Sequence, residues 1–191
     1  MEYIIGQKFV LSDNQVNGLL KGEYENCIFE NGDVSDVDFS GFVFNTCVWV
    51  DCNMSLIKTN KTAFRNNKFI RCKMLGIHFN HCNSFGLSFL FEKCLLQHSS
   101  FLGVKMKKIK FDECDLTEVD FTESELKEAT FNNCDLYRAT FDNTNLESAD
   151  LHTSFRFTID PEINRVKNTK FSLEGLKGLL EKYDLNIVDP F

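Results

Sequence analysis

From Phe111 onward an apolar residue stands at every fifth place: Phe111, Leu116, Phe121, Leu126, Phe131, Leu136, Phe141, Leu146 and Leu151. Two places before each is a smaller residue: Ile109, Cys114, Val119, Ser124, Ala129, Cys134, Ala139, Thr144 and Ala149. The other three places are mostly polar. A period of five suits neither an α-helix (~3.6) nor a flat strand (~2). It suits a chain that turns a corner every five residues and sends two side chains of each five inward. Four such sides close a square coil of about 20 residues, and coils stack through strand-like hydrogen bonds at ~4.8 Å. The spacing therefore predicts an all-β solenoid.

If coils repeat every 20 residues, like should lie on like at that interval. Phe91, Phe111 and Phe131 do so, as do Leu96, Leu116 and Leu136, and Phe101, Phe121 and Phe141. These, with Cys94, Cys114 and Cys134, are the expected core ladders. The upstream half carries the pattern in another frame, centred on Tyr24, Phe29, Val34, Phe39, Phe44, Trp49, Met54, Thr59, Phe64, Phe69, Met74, Phe79, Ser84 and Phe89. Phe29, Trp49, Phe69 and Phe89 form one expected aromatic ladder. The frame slips by two residues between Phe89 and Phe91 or Leu96, which predicts a bulge near Leu90.

The eight cysteines all take the small inward place, where a reduced Cys acts as a small hydrophobe. Their spacing lacks the CxxC pairs of a zinc site. Neither a metal nor a disulfide is needed to account for them.

The chain divides into three segments: an N-terminal cap over residues 1–23, the solenoid over 24–151, and a C-terminal cap over 152–191. Ile4, Ile5, Phe9, Val10 and Leu11 are expected to cover the first coil. An open solenoid needs such caps. In the C-terminal cap Asp160-Pro161 marks a turn, and a helix is expected over about 172–183 with Ser172 as its N-cap. Ile187-Val188 reads as a short strand. Leu173, Leu176, Leu179, Leu180 and Tyr183 lie near one helix face. They are either a lid on the last coil or, with surface to spare, the interface of a two-fold dimer.

The stretch CDLTEVDFTESELKEATFNNCDLYRATFDNTNLESADL resembles the pentapeptide-repeat family, and NLESADL is its clearest instance. The resemblance covers roughly residues 24–151. It implies a right-handed quadrilateral β-helix; the hand comes from the family, not from the spacing. The tail DPEINRVKNTKFSLEGLKGLLEKYDLNI is similar to that of the quinolone-resistance and McbG-like branch. That similarity implies a homodimer joined at the C-terminal ends, imitating duplex DNA in shape and charge and binding DNA gyrase or topoisomerase IV. Long projecting loops matter in parts of that branch, and this sequence shows only the two-residue slip.

Charge is banded. Residues 1–53 hold nine acids and two bases, residues 54–110 one acid and eleven bases, and residues 111–191 eighteen acids and eight bases. The candidate partner-binding acids are Asp112, Glu113, Asp115, Glu118, Asp120, Glu123, Glu125, Glu128, Asp135, Asp142, Glu147 and Asp150. With Lys127 and Arg138 they give residues 111–150 a net charge of −10. Over two coils, ~10 Å of axis, duplex DNA carries ~6 charges. The basic band (Lys58, Lys61, Arg65, Lys68, Arg71, Lys73, Lys93, Lys105, Lys107, Lys108 and Lys110) breaks a uniform mimic. It leaves direct nucleic-acid binding as a further alternative.

No catalytic, cofactor or metal motif stands out. His78, His81, His98 and His152 fall on outward places, and there is no P-loop, GxGxxG or HExxH. The expected function is a non-catalytic interaction protein without a cofactor. The start MEYIIGQKFVL does not read as a signal peptide and no apolar run reaches the ~20 residues of a membrane span, so the cytoplasm is the expected location.

Overall fold

The computed structural model describes residues 2–11, 19–186 and 188. Eleven short strands succeed one another: β1 (Glu2–Ile5), β2 (Lys8–Val10), β3 (Gly22–Glu25), β4 (Ile28–Glu30), β5 (Val43–Asn45), β6 (Val48–Val50), β7 (Ala63–Arg65), β8 (Asn67–Ile70), β9 (Phe89–Glu92), β10 (Lys110–Asp112) and β11 (Thr130–Asn132). They form two parallel sheets, of order β1-β3-β5-β7 and β11-β10-β9-β8-β6-β4-β2. Isolated parallel bridges such as Leu95 with Asp115 and Ser100 with Asp120 tie the sides between them. Phe111 pairs with Phe131 and Phe9 with Phe29, a step of 20 residues, so each coil has four five-residue sides.

The corners explain the period. The residue two places after most central ones takes a positive φ, as at Glu113, Glu118, Glu123 and Glu128. Runs of these corners close as β-turns, as where Val119 N–H donates to the Leu116 carbonyl at 3.2 Å, with the left-handed residue third in the turn. Most of these corners are not glycine. Asn and Asp bear the conformation best and hold Asn26, Asn31, Asp36, Asp51, Asn66, Asn133 and Asn143; the rest are held there by the coils on either side.

The interior is closely filled and aromatic. Phe91, Phe111 and Phe131 stack at 5.2 and 5.1 Å, and Phe101, Phe121 and Phe141 at 5.4 and 5.2 Å. Neighbouring ladders meet edge to face, Phe111 against Phe121 at 5.9 Å, the geometry ring quadrupoles favour. At the smaller inward place a side-chain donor often bonds the central carbonyl of the coil before. Thr62 donates to Phe39, Asn67 to Phe44, Ser99 to Met74 and Thr144 to Phe121. The thiols of Cys47, Cys72, Cys94 and Cys134 do the same to Tyr24, Trp49, Phe69 and Phe111 at 3.3–3.5 Å. That is why Cys, Ser, Thr and Asn alternate there with Ala: each is small and each but Ala offers a proton to a carbonyl with a spare lone pair.

Four sequence expectations change. The aromatic ladder runs from Phe69 to Phe91 (5.2 Å, nearly parallel), because β8 pairs with β9 at a 22-residue step. Phe89 fills the smaller inward place one row aside. The two extra residues lie upstream of Leu90, within residues 83–88. Ser84 is exposed, not central, and Leu90 sits in a regular strand. Residues 2–11 are not a separate lid. They are two sides of a coil in register with the next, so Ile4, Phe9 and Leu11 face inward while Ile5 and Val10 face out. Bridges continue past Leu151 to Arg165 and Lys170, with Phe157, Ile159, Asn164 and Thr169 filling inward places.

The C-terminal helix is shorter than expected. The α-helix α1 spans Leu176–Leu180 and runs into a 3-10 turn at Glu181–Tyr183. Ser172 does act as a cap, its Oγ accepting from Gly175 N–H at 3.0 Å, but it opens a turn rather than a helix. Gly178 lies directly against the Phe157 carbonyl, and its own carbonyl accepts from Ile159 N–H at 3.0 Å. Ile187, half of the expected final strand, lies outside the described residues. No helix of the described residues is long and apolar enough to cross a membrane.

Candidate interaction surface

With the interior filled, the outward places carry whatever the molecule does. The acidic residues sit on all four sides of two coils. Asp112 and Glu113 are on the side of Phe111; Asp115, Glu118 and Asp135 on that of Leu116; Asp120, Glu123 and Asp142 on that of Phe121; Glu125, Glu128 and Glu147 on that of Leu126. Asp150 begins the next coil. The band wraps the rod and is not a stripe.

Many of these carboxylates have structural partners. Asp115, Asp120, Asp135 and Asp150 stand just before a central residue and accept the N–H of Thr117, Thr122, Tyr137 and His152 at 2.9–3.2 Å. The same device recurs at Asp33 and Asp38, so the repeat itself calls for Asp or Asn here. Glu113 pairs along the axis with Lys93, Glu118 with Arg138 and His98, Glu128 with Lys107 and Lys108, and Glu147 with Lys127 and Arg165, while two of the capping residues pair as well, Asp135 with Arg156 and Asp150 with Lys170. Asp112, Asp115 and Glu125 accept from Asn132, Gln97 and Asn145, and Asp142 accepts from Asn143. Among the described residues Glu123 has no ion-pair partner. Six cations from flanking coils, Lys93, Lys107, Lys108, Arg156, Arg165 and Lys170, bring the −10 of residues 111–150 to −4. The band therefore presents much less free charge than its own residues carry.

These exposed pairs set an acid limb. Hydrogen bonds from Lys107, and from Lys127 and Arg165, hold Glu128 and Glu147 below the ordinary carboxylate value of 4.5, and an Arg71 hydrogen bond holds Asp51 below 3.8. A lowered folded-state value means the contribution is complete above the unfolded value and fades as pH falls through the folded one. The melting temperature is therefore expected to be level from pH 8 to about 5 and to fall below about pH 4, with a smaller fall in high salt, where exposed pairs are screened. A rising melting temperature on acidification would contradict the pairing.

The basic band divides as well. Lys68, Arg71, Lys93, Lys107 and Lys108 pair with acids. Among the described residues Lys58, Lys61, Arg65, Lys73, Lys105 and Lys110 have no carboxylate partner. At the C-terminal end Leu173 is 83% exposed, Leu176 and Tyr183 are exposed, Leu180 is half-buried and Leu179 packs on the core. The five therefore do not share one free face. An open groove of about 840 Å³ lies between this end and the last coil, with Tyr137 on one wall beneath the Arg156 guanidinium at 4.8 Å.

Seven of the cysteines are buried and Cys82 is half-buried; all are free thiols. Burial pushes Cys47 and Cys82 up to about 12. Native protein at pH 8 is expected to resist a thiol reagent, and unfolded protein to give eight equivalents. Rapid native labelling of several thiols would show that the core opens. Among the described residues no three His, Cys, Asp or Glu side chains converge as a metal would require. Phe85 as an exposed ring escapes the sequence pattern, because counting by five makes Ser84 central. A single apolar residue flanked by Ser84 and Gly86 is the one signal that could mark it.

Residues 78–151 match the family described as the pentapeptide repeat region. No curated protein matches the chain in sequence. Two solved structures of trypsin-treated variants of QnrB1, described as a plasmid-mediated fluoroquinolone resistance protein, are similar in fold. One is 15% identical with a TM-score of 0.66 and covers 97% of each chain; the other is 16% identical with a TM-score of 0.64 and covers 98% of this chain and 99% of that one. At such identities the likeness is one of fold. The five-residue sides, the stacked coils and the matched segment agree: this chain carries a pentapeptide repeat region and has the solenoid fold of pentapeptide-repeat proteins.

Proposed function

We propose that this chain is a non-catalytic binding rod of the cytoplasm whose outer sides dock a protein partner. The observation that carries this reading is the filled interior. Ring stacks run from Phe29 to Phe141 at 0–7% exposure, and all four histidines face outward, so chemistry and recognition alike are confined to the surface. A photo-crosslinker at the exposed Glu123 corner should trap one defined protein, and an excess of unlabelled chain should compete it away. Turnover of a small molecule by the purified chain would overturn the reading.

A second reading has its own support: the fold match spans nearly all of the trypsin-treated QnrB1 chain. On that reading the chain binds a type II topoisomerase as a C-terminally joined homodimer. The neutralised band disfavours duplex mimicry by charge density alone and leaves specific acidic corners as the contacts. Glu113, Glu118 and Glu123 are exposed, none of them caps a turn, and they suit charge reversal better than Asp115 or Asp135, which do. If the chain relieves quinolone inhibition of gyrase supercoiling, the triple Lys variant should lose that effect, and Glu123→Lys alone, which breaks no ion pair among the described residues, should weaken it with its melting temperature little changed. Unaltered supercoiling at every concentration, with no complex on a sizing column, ends this reading. Leu173→Asp with Leu176→Asp should convert a dimer to a monomer by sedimentation; a monomeric parent chain would remove the dimer.

A further inference from the structure

The two-residue insertion breaks the repeat at one point and places there the most exposed of the large aromatic side chains described. Phe85 is 77% exposed. The loop that carries it is tied down, not loose. Asn83 N–H donates to the Thr62 carbonyl at 2.8 Å, Ser88 N–H to that of Phe64 at 3.1 Å, and Asn83 Oδ1 accepts the N–H of Phe85 itself at 2.9 Å. Leu87 packs on the core and Gly86 turns with φ +70°. Arg65, one coil earlier, runs under the loop against Gly86 and brings its guanidinium 5.7 Å from the Phe85 ring. Its Nε is buried without a hydrogen-bond partner, and among the described residues its guanidinium meets no carboxylate. By register Lys105 stands one coil beyond the loop on the same side, and Lys61 stands one coil before the loop, at the corner that leads into that side. Both are exposed and neither has an acid partner among the described residues.

A ring held out of the core gains nothing for the fold, since burying it would be worth roughly 1.5–3 kcal/mol. Here it is bracketed along the axis by cations, Arg65 and Lys61 on one side and Lys105 on the other, over two coil steps of ~10 Å. Positive charge, flat apolar face, positive charge is the complement of phosphate, base, phosphate. Duplex DNA keeps its bases stacked on each other and offers no free face. A single strand does, and aromatic platforms beside a basic track are how such strands are held without sequence readout. We propose that this patch binds single-stranded nucleic acid, a base stacking on Phe85 and the flanking phosphates meeting Lys61, Arg65 and Lys105. The proposal is independent of the protein-docking reading above, which concerns the acidic coils.

The test is fluorescence anisotropy of a labelled oligo-dT of about 15 nucleotides with the full chain in low salt. Binding is expected, weakening steeply as salt rises. Phe85→Ala should weaken it about 5- to 150-fold, the range for loss of one stacked base, with an unchanged thermal melt. Lys61→Ala with Lys105→Ala should flatten the dependence of log Kd on log salt by about 1.4, ~0.7 for each phosphate of a single strand no longer neutralised. No binding at low salt overturns the proposal. So does a Phe85→Ala variant that binds as tightly as the parent. Competition by a duplex of equal length or by polyglutamate as effective as that by unlabelled oligo-dT would assign the patch to anions in general and overturn it too.

Discussion

Phe121→Ala is expected to lower the free energy of unfolding by about 3–5 kcal/mol, read as a shift of the urea midpoint. The ring is fully buried, stacked between Phe101 and Phe141 and edge-on to Phe111 and Phe131. Truncation leaves a void that cannot collapse. The backbone on every side is tied to its neighbours, with Phe121 N–H donating to the Thr140 carbonyl at 2.9 Å and Asp120 N–H to that of Ser99 at 3.0 Å. Such a loss is a large part of the ~5–15 kcal/mol that holds a typical domain. Phe85→Ala is the control, since removal of an exposed ring should change stability by no more than about 0.5 kcal/mol. Equal effects at the two positions would mean that the ladders do not carry the fold.

Gly178→Ala is the second large effect, and it is local. A methyl group at that place would run into the Phe157 carbonyl, which is backbone and has nowhere to go. Helix α1 must lift, breaking the bond from Ile159 N–H and the seat of Leu179 on the core. Overpacking of this kind costs about 1–3 kcal/mol. Amide exchange should quicken over residues 157–183 and stay unchanged around Phe29 and Phe69, because in a solenoid each coil leans only on its neighbours. If the C-terminal end also joins two copies, the same variant should weaken the dimer. Uniform loss of protection along the rod would instead show that this end governs the whole fold.

Much of this architecture is legible in the sequence. The place of Phe121 among its neighbours comes from counting by five and then by twenty, because each side adds a fixed number of residues and a fixed turn. The counting fails where the turn itself changes. Around Ser84 the two extra residues leave no mark in composition, and the frame is recovered only downstream, at Phe91. The tail fails differently. Asn164 and Thr169 hold inward places through hydrogen bonds to the Phe141 and Leu146 carbonyls, so an apolar count stops at Leu151 while the coil does not. Of the surface, the sequence shows the charges but not their company. Axial partners such as Lys93 and Glu113 lie 20 residues apart, and without the register twelve acids read as a free polyanion.

The insertion that displays Phe85 is absorbed within one side: β9 resumes pairing with β8 and every ladder beyond it is intact. A side that swallows additional chain without dislocating the coils downstream is a natural graft point. A foreign epitope spliced between Asn83 and Leu87 would stand off a rigid rod at a known height, its two ends already clamped by the Thr62 and Phe64 carbonyls. The same tolerance gives such rods a cheap route to new specificities, by lengthening one loop at a time while the scaffold stays as it is.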